Sequence, residues 1–291
     1  MSSIFVFPGQ GAQAVGMGYE LYKNNKQARD VFDAVDDALG EKLSDLIFNG
    51  PMDELTMTQN VQPAIMATSI AMFKASGLEL PEYVAGHSLG EYSALCAANA
   101  ISIQDTAKIL RLRGKLMQQA AGEQGGITAV VLGMDIKSVK EICDKFGCDV
   151  ANDNCDGQVV ISGETSATEK AMEELKNSGA RRVMKLALSV PVHCRVQEKI
   201  VAEYRDALNK INFQKPDAKF ISNKTCTPID DVDEIKDALV YQMTHGVRWR
   251  ESVIEMANLG ITDMTEIGPG NVLTGLVNRI TDKINAHKLE I

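Results

Sequence analysis

The chain has 291 residues, 45% of them apolar and 24% charged, and 30 Lys and Arg against 39 Asp and Glu give a formal net charge of −9. That is the composition of a globular protein with ample length to bury a core, on the scale of about two ~150-residue domains or one large domain with an insertion, and it excludes fibrous and disordered classes. The acidic balance repels phosphate backbones, and no apolar run approaches the ~18 residues that span a bilayer, so neither nucleic acid nor membrane is an expected partner.

Ile4 to Phe7 is a short run of strand formers ended by Pro8-Gly9 and reads as a buried strand, followed by helical patterns through about Leu39. A helical stretch surrounds Ala64 to Ala75. Tyr83 to Ala85 reads as a strand broken by Gly86, with a helix from about Leu89. Alternating strands and helices predict an α/β unit with a mostly parallel sheet. The middle of the chain changes pattern. Strands are expected at 126–132, 149–151, 158–162 and 181–188, with helices at 136–146 and 165–176. The order β-α-β-β-α-β within about 65 residues is that of a ferredoxin-like unit. Afterwards, 192–211 reads as helical and Lys219 to Ser222 as a strand. Helices near 234–243 and 249–257, a strand at 265–267 and a closing helix complete the chain. The expected organisation is a discontinuous large domain, 1–124 and 190–291, interrupted by a small domain, 125–189.

Gly86-His87-Ser88-Leu89-Gly90 fits G-x-S-x-G where a strand hands over to a helix. A sharp turn there needs small residues two positions either side of the serine. It lifts the hydroxyl out of the sheet and aims backbone amides at a developing oxyanion. A nucleophilic serine needs a base. Of four histidines, His87 sits inside the turn and His287 lies near the C-terminus, where fraying is expected. That leaves His193, at a strand end on the domain junction, and His245, for which capping a helix is an adequate role; the junction favours His193. Gly9-Gln10-Gly11-Ala12-Gln13-Ala14 formally fits a dinucleotide fingerprint, but the acidic residues that follow fall in a helical pattern, so the loop reads instead as one that places the Gln10 amide in a site. Arg113 is an ordinary helix cation unless the substrate carries an anion, which its guanidinium would grip in two-pronged fashion. The six cysteines include no CxxC pair and read as free thiols of a reducing compartment; with no signal peptide in MSSIFVFPGQ, the expected location is cytoplasmic.

FPGQGAQAVGMG at the start, TQNVQPA at 58–64, AGHSLGEYSAL at 85–95, LRGKLM at 112–117, SVPVHC at 189–194, ISNKT at 221–225 and EIGPGNVLTGL at 266–276 together resemble malonyl-CoA:acyl carrier protein transacylases. The resemblance covers essentially the whole chain and is strongest to the freestanding bacterial enzymes of fatty acid synthesis. It implies an α/β-hydrolase-like domain interrupted by a ferredoxin-like one. It implies Ser88 as nucleophile, His193 as its base, the Leu89 and Gln10 amides as oxyanion hole and Arg113 as the grip on the malonyl carboxylate. The histidine is implied to be oriented by a backbone carbonyl, at the position matching Gln242. Gln62 and Asn154 match pocket-lining positions. Asp156 stands where relatives often have proline, and Val192 where they often have serine or phenylalanine. Malonyl-CoA is the implied substrate and the phosphopantetheine thiol of an acyl carrier protein the acceptor, with no metal and no permanently bound cofactor. A monomer is the default.

A carrier protein of acidic charge would need a local basic patch on this acidic chain. Arg181, Arg182 and Lys185 are candidates, and a scattered solvated surface is the plain alternative. Three rival readings differ in chemistry or pathway: a serine esterase or thioesterase on the same turn, which would call on His245 or His287 as base; an idle subunit that only docks carrier proteins; and a freestanding polyketide-pathway acyltransferase.

Overall fold

The computed structural model describes residues 2–122 and 125–291. Its elements in chain order are β1 (Ser2–Phe7), α1 (Tyr19–Asn24), α2 (Lys26–Leu39), α3 (Leu43–Asn49), α4 (Met52–Thr56), α5 (Thr58–Ser76), β2 (Tyr83–Gly86), α6 (Gly90–Ala97) and α7 (Ile103–Ala121). Next come β3 (Ile127–Leu132), α8 (Ile136–Phe146), β4 (Asp149–Cys155), β5 (Gln158–Gly163), α9 (Thr165–Asn177) and β6 (Arg182–Lys185). A 3-10 turn at Arg195–Ile200 leads into α10 (Val201–Asn209), β7 (Lys219–Ile221), β8 (Pro228–Ile229), α11 (Val232–Tyr241), α12 (Trp249–Asn258), β9 (Ile261–Glu266), α13 (Val272–Ile280) and β10 (Asn285–Lys288).

Two sheets organise the chain. The larger runs β10-β9-β1-β2-β7-β8 and is parallel except for β8, which pairs antiparallel with β7. Its central strands carry buried apolar runs, Ile4 to Phe7 on β1 and Tyr83 to Ala85 on β2, because both faces are covered. On β1, Phe5 and Phe7 join the core beneath α2, α5, α6 and α7, while Ile4 and Val6 join the core beneath α12 and α13. The smaller sheet, β4-β5-β3-β6, is antiparallel throughout. Ala129, Val131, Val159 and Ile161 pack under α8 and α9, and the alternate residues Val130 and Val160 face the large unit. The expected boundary between residues 124 and 125 borders residues 123–124, which lie outside the described residues.

Three differences from the sequence reading have physical causes. The expected helix over 192–211 begins only at Arg195, because Pro191 and the left-handed backbone of His193 (φ 51°) break the helical path. The C-terminus does not fray. Asn285–Lys288 pairs parallel with β9 as an edge strand, and His287 Nε2 lies 3.1 Å from Thr265 Oγ1. The strand expected over 181–188 shrinks to Arg182–Lys185, where Lys185 is paired with Glu169 at 2.7 Å, so part of that basic patch is neutralised.

Helix ends follow ordinary capping. Asn25, Ser102, Asp135 and Asp231 each accept a backbone N–H at the start of α2, α7, α8 and α11. One contact positions the site. Pro63 inside α5 has no N–H to give the Gln59 carbonyl one turn back. Arg111 of α7 fills that vacancy, its Nη1 donating to Gln59 O at 2.7 Å, with Asn60 and Glu41 as further partners. Gly114 lets the two helices meet there, since a Cβ would lie 2.4 Å from Gln59 Cα. Replacing Arg111→Met should strand the Gln59 carbonyl and lower stability by about 1–3 kcal/mol, read as a lower midpoint in chemical denaturation. An unchanged midpoint would show that the carbonyl needs no donor.

Candidate active site

The turn between β2 and α6 carries Ser88. Its chain crosses itself so closely that a Cβ on Gly86 would lie 1.9 Å from Gly90 C, and one on Gly90 would lie 2.1 Å from Phe7 O. Only glycine fits at either place, which is the physical content of the G-x-S-x-G spacing. Ser88 itself has φ 56°, left-handed and strained for a residue with a side chain. Its N–H donates to Asn223 Oδ1 at 3.0 Å, and Asn223 Nδ2 donates to Gly86 O at 2.8 Å, so one amide side chain braces the turn from both sides.

Ser88 Oγ lies 2.7 Å from His193 Nε2, although 105 residues separate them. His193 Nδ1 lies 2.7 Å from the backbone oxygen of Gln242. A carbonyl only accepts, so Nδ1 carries the proton and Nε2 is left as the acceptor for the Ser88 hydroxyl. His193 is buried. Burial, helped by the Arg113 charge, pushes its imidazole down to about 3, so the ring is neutral and basic in its resting state.

Arg113 is 1% exposed. Its Nη1 donates to Gln62 Oε1 at 2.7 Å and its Nη2 to Gln242 Oε1 at 2.8 Å, with Nη2 also 3.5 Å from Ser88 Oγ. The Tyr92 ring lies under the guanidinium at 5.7 Å, and the Tyr92 hydroxyl is bonded to that of Tyr204. No carboxylate pairs with Arg113 among the described residues. The arrangement is a desolvated cation, fixed in direction by two amide oxygens, beside a hydroxyl.

Gln10, Gln62, Ser88, Leu89, Arg113, Val192 and His193 line one small cavity. Among the described residues, the Leu89 and Gln10 backbone N–H groups donate to no other group of the protein. A cleft of about 390 Å³ adjoins the cavity through Gln10, His87 and Asn152 and opens between the two sheets, with Val130, Leu132 and Val160 on one wall and Val272, Leu273 and Leu276 on the other. Asn154 also lines it, but its Oδ1 is engaged, 2.9 Å from His87 Nε2.

The structure thus gathers Ser88, His193, Arg113, Gln10, Leu89, Gln62 and Gln242 at one place. Gln62 bonds Arg113 as well as lining the cavity. Gln242 contributes twice, by its backbone oxygen to His193 and by its side chain to Arg113. His245 is elsewhere in role, exposed, with Nδ1 3.1 Å from Tyr241 O and its ring stacked on Tyr241 at 3.7 Å. Asp156 pairs with Arg250 at 3.1 Å. Asn223 and Glu91 were not singled out from sequence. Both lie in motifs that were, ISNKT and AGHSLGEYSAL, yet nothing in spacing says that they meet: Asn223 N donates to Glu91 Oε1 at 2.6 Å across 132 residues.

Chemically, the arrangement suits attack by a hydroxyl on an acyl carbon. It joins an activated oxygen, free donors for an oxyanion and a fixed cation for an acyl group bearing an anion. Comparison with known proteins agrees. Residues 4–290 match the acyl transferase domain family. The malonyl CoA-acyl carrier protein transacylase of Bacillus subtilis (strain 168) is 41% identical over 98% of this chain and 92% of its own length. The crystal structure of an acyl-carrier-protein S-malonyltransferase from Bartonella henselae superposes with a TM-score of 0.96 at 45% identity, over 99% of this chain and 95% of the other. A malonyl-transacylase solved in complex with a type II polyketide acyl carrier protein superposes with a TM-score of 0.95 at 37% identity, over 99% and 96%. With that breadth of similarity in sequence and structure, the chain belongs to the acyl transferase domain family, among the malonyl-CoA:acyl carrier protein transacylases.

Proposed function

We propose that this chain moves a malonyl group from malonyl-CoA to the phosphopantetheine thiol of an acyl carrier protein, through a malonyl ester on Ser88, in the supply of fatty acid synthesis. The observation that carries the reading is the fixed Arg113 guanidinium beside the Ser88–His193 pair. A simple esterase has no use for a buried cation at the acyl end of its site. A malonyl group ends in a carboxylate that would accept from it.

In the first half-reaction, Ser88 Oγ attacks the thioester carbon and its proton passes to His193 Nε2. The oxyanion accepts from the Leu89 and Gln10 N–H groups, and loss of one such donor typically costs about 10²–10³ in rate. The intermediate collapses, the carbon–sulfur bond breaks, and coenzyme A leaves with the proton held by His193. In the second half, the carrier thiol gives its proton to His193 as its sulfur attacks the ester, and Ser88 Oγ leaves and takes that proton back. The adjoining cleft has the polar and apolar walls suited to a pantetheine arm. The Gln242 carbonyl stands where an aspartate stands in other serine hydrolase sites; it fixes the tautomer without adding a negative charge.

The β3–β6 unit with α8 and α9 is read as a ferredoxin-like insertion over about 125–189 in an α/β-hydrolase-like domain, supported by its strand order and antiparallel pairing. All site groups come from one chain, and the working unit is taken as a monomer. Six buried, unpaired cysteines suit a reducing, cytoplasmic setting.

Incubation with malonyl-CoA alone should leave one malonyl group on Ser88, seen by intact mass and peptide mapping and absent in Ser88→Ala; rapid free malonate without an adduct would instead mean a hydrolase. His193→Ala should slow acylation by about 10²–10⁴-fold, whereas intact acylation would hand the base to another histidine. Arg113→Ala should lower malonyl transfer by about 10–100-fold while sparing acetyl transfer. Equal losses would make Arg113 a structural residue. Because the His193 imidazole is held well below its ordinary value, it stays a free base on acidification. The kcat/KM for acylation should therefore show no acid limb centred near ~6.5. A limb centred there would mean that the ring titrates as if in water.

A further inference from the structure

Glu91 lies in the first turn of α6, directly beneath the Ser88 turn, and is fully buried. The reaction above gives it nothing to do. A buried carboxyl is costly unless its oxygens are used. Both are: Oε1 accepts the Asn223 backbone N–H at 2.6 Å, and Oε2 accepts from Gln242 Nε2. Burial still pushes the carboxyl up to about 8, opposed by the Asn223 amide, the Arg113 charge and Gln242.

The direction of every bond in this network is forced. Arg113 can only donate, so the Gln242 atom that faces it is Oε1. The Ser88 carbonyl can only accept, so the atom 3.1 Å from it is Gln242 Nε2. That nitrogen also faces Glu91, which therefore accepts. The Asn223 backbone N–H can only donate, so the other Glu91 oxygen accepts too. No side chain but a carboxyl offers two acceptors on one such fork. The path runs Arg113 to Gln242 to Glu91.

We propose that Glu91 is a positioning residue for malonyl recognition: by accepting at both oxygens it locks the Gln242 amide with its oxygen toward Arg113, and so sets the direction of the guanidinium that receives the substrate carboxylate. This rests on the transferase reading above. In Glu91→Gln, the amide oxygen keeps the rigid Asn223 N–H and the new NH₂ faces Gln242. Gln242 must then turn over, which places a donor against Arg113 and an acceptor against the Ser88 carbonyl. His193 is spared, because it is held by the Gln242 backbone.

The test compares acylation by malonyl-CoA and acetyl-CoA, by intact mass, in the wild-type protein and Glu91→Gln, with thermal unfolding alongside. The expected result is a folded variant whose malonyl-to-acetyl ratio of kcat/KM falls by about 10-fold or more, chiefly through malonyl KM. Rates that stay within about 2-fold for both substrates, or that fall by one common factor, overturn the proposal. If Glu91→Gln does not fold, the reciprocal Glu91→Gln/Gln242→Glu variant decides. It restores donor-to-acceptor order along the path but pairs Arg113 with a carboxylate. A folded double variant without malonyl preference supports the coupling; one that keeps the wild-type preference, or does not fold, contradicts it. Wild-type protein that forms no malonyl adduct would take down the transferase reading and this one together, whereas an active wild type matched by Glu91→Gln would take down this one alone.

Discussion

Two residues of the site, Ser88 and His193, hold left-handed backbone conformations, φ 56° and 51°, and the rest of the site depends on keeping both there. Each such residue typically costs about 1–3 kcal/mol and persists only where its surroundings fix it. Around Ser88 the fixing is steric and polar: the Gly86–Gly90 crossing and the two bonds from Asn223. Around His193 it is the carbonyl of Gln242 and the burial of the segment after Pro191. Two strained turns from distant parts of the chain thereby bring one oxygen and one nitrogen to 2.7 Å. Relaxing either turn would end that contact.

The polar groups behind this pair share one logic. Arg113, His193 and Gln242 are buried, so a charge there is expensive, and the guanidinium Nη atoms and the imidazole Nδ1 rest against neutral acceptors. Arg113 rests against two amide oxygens and an aromatic face and has no carboxylate partner, which leaves its charge available to an incoming anion. His193 leans on a carbonyl, which leaves it neutral. Glu91, the buried acid of this cluster, stands one amide away from Arg113 and so leaves the guanidinium fork open. The close crossing of α5 and α7 at Gly114, held by Arg111, carries Arg113 and Gln62 to the same point.

Much of this was legible in the sequence because it is local. The elbow shows as glycines two residues either side of Ser88, two central strands show as the short apolar runs Ile4 to Phe7 and Tyr83 to Ala85, and the middle of the chain shows as its β-α-β-β-α-β order. His193 was reachable by elimination among four histidines. What the sequence hid is long-range or geometric. Nothing in periodicity says that Glu91, Asn223 and Gln242 converge, since their bonds span 132 and 151 residues. The His193 segment reads as helix because its residues tolerate helix; the left-handed bend there comes from tertiary packing. The edge strand at Asn285–Lys288 is short and polar, and it forms because β9 offers an open edge.

The central claim is that His193 rests as a neutral imidazole with its proton on Nδ1, pointed at the Gln242 carbonyl. Nitrogen-15 spectra of the histidine rings, with His193 assigned by substitution, read this directly. The account predicts an Nδ1–H neutral ring that stays neutral on acidification to about pH 5. An Nε2–H tautomer, or an imidazolium forming with a midpoint near ~6.5, would contradict it.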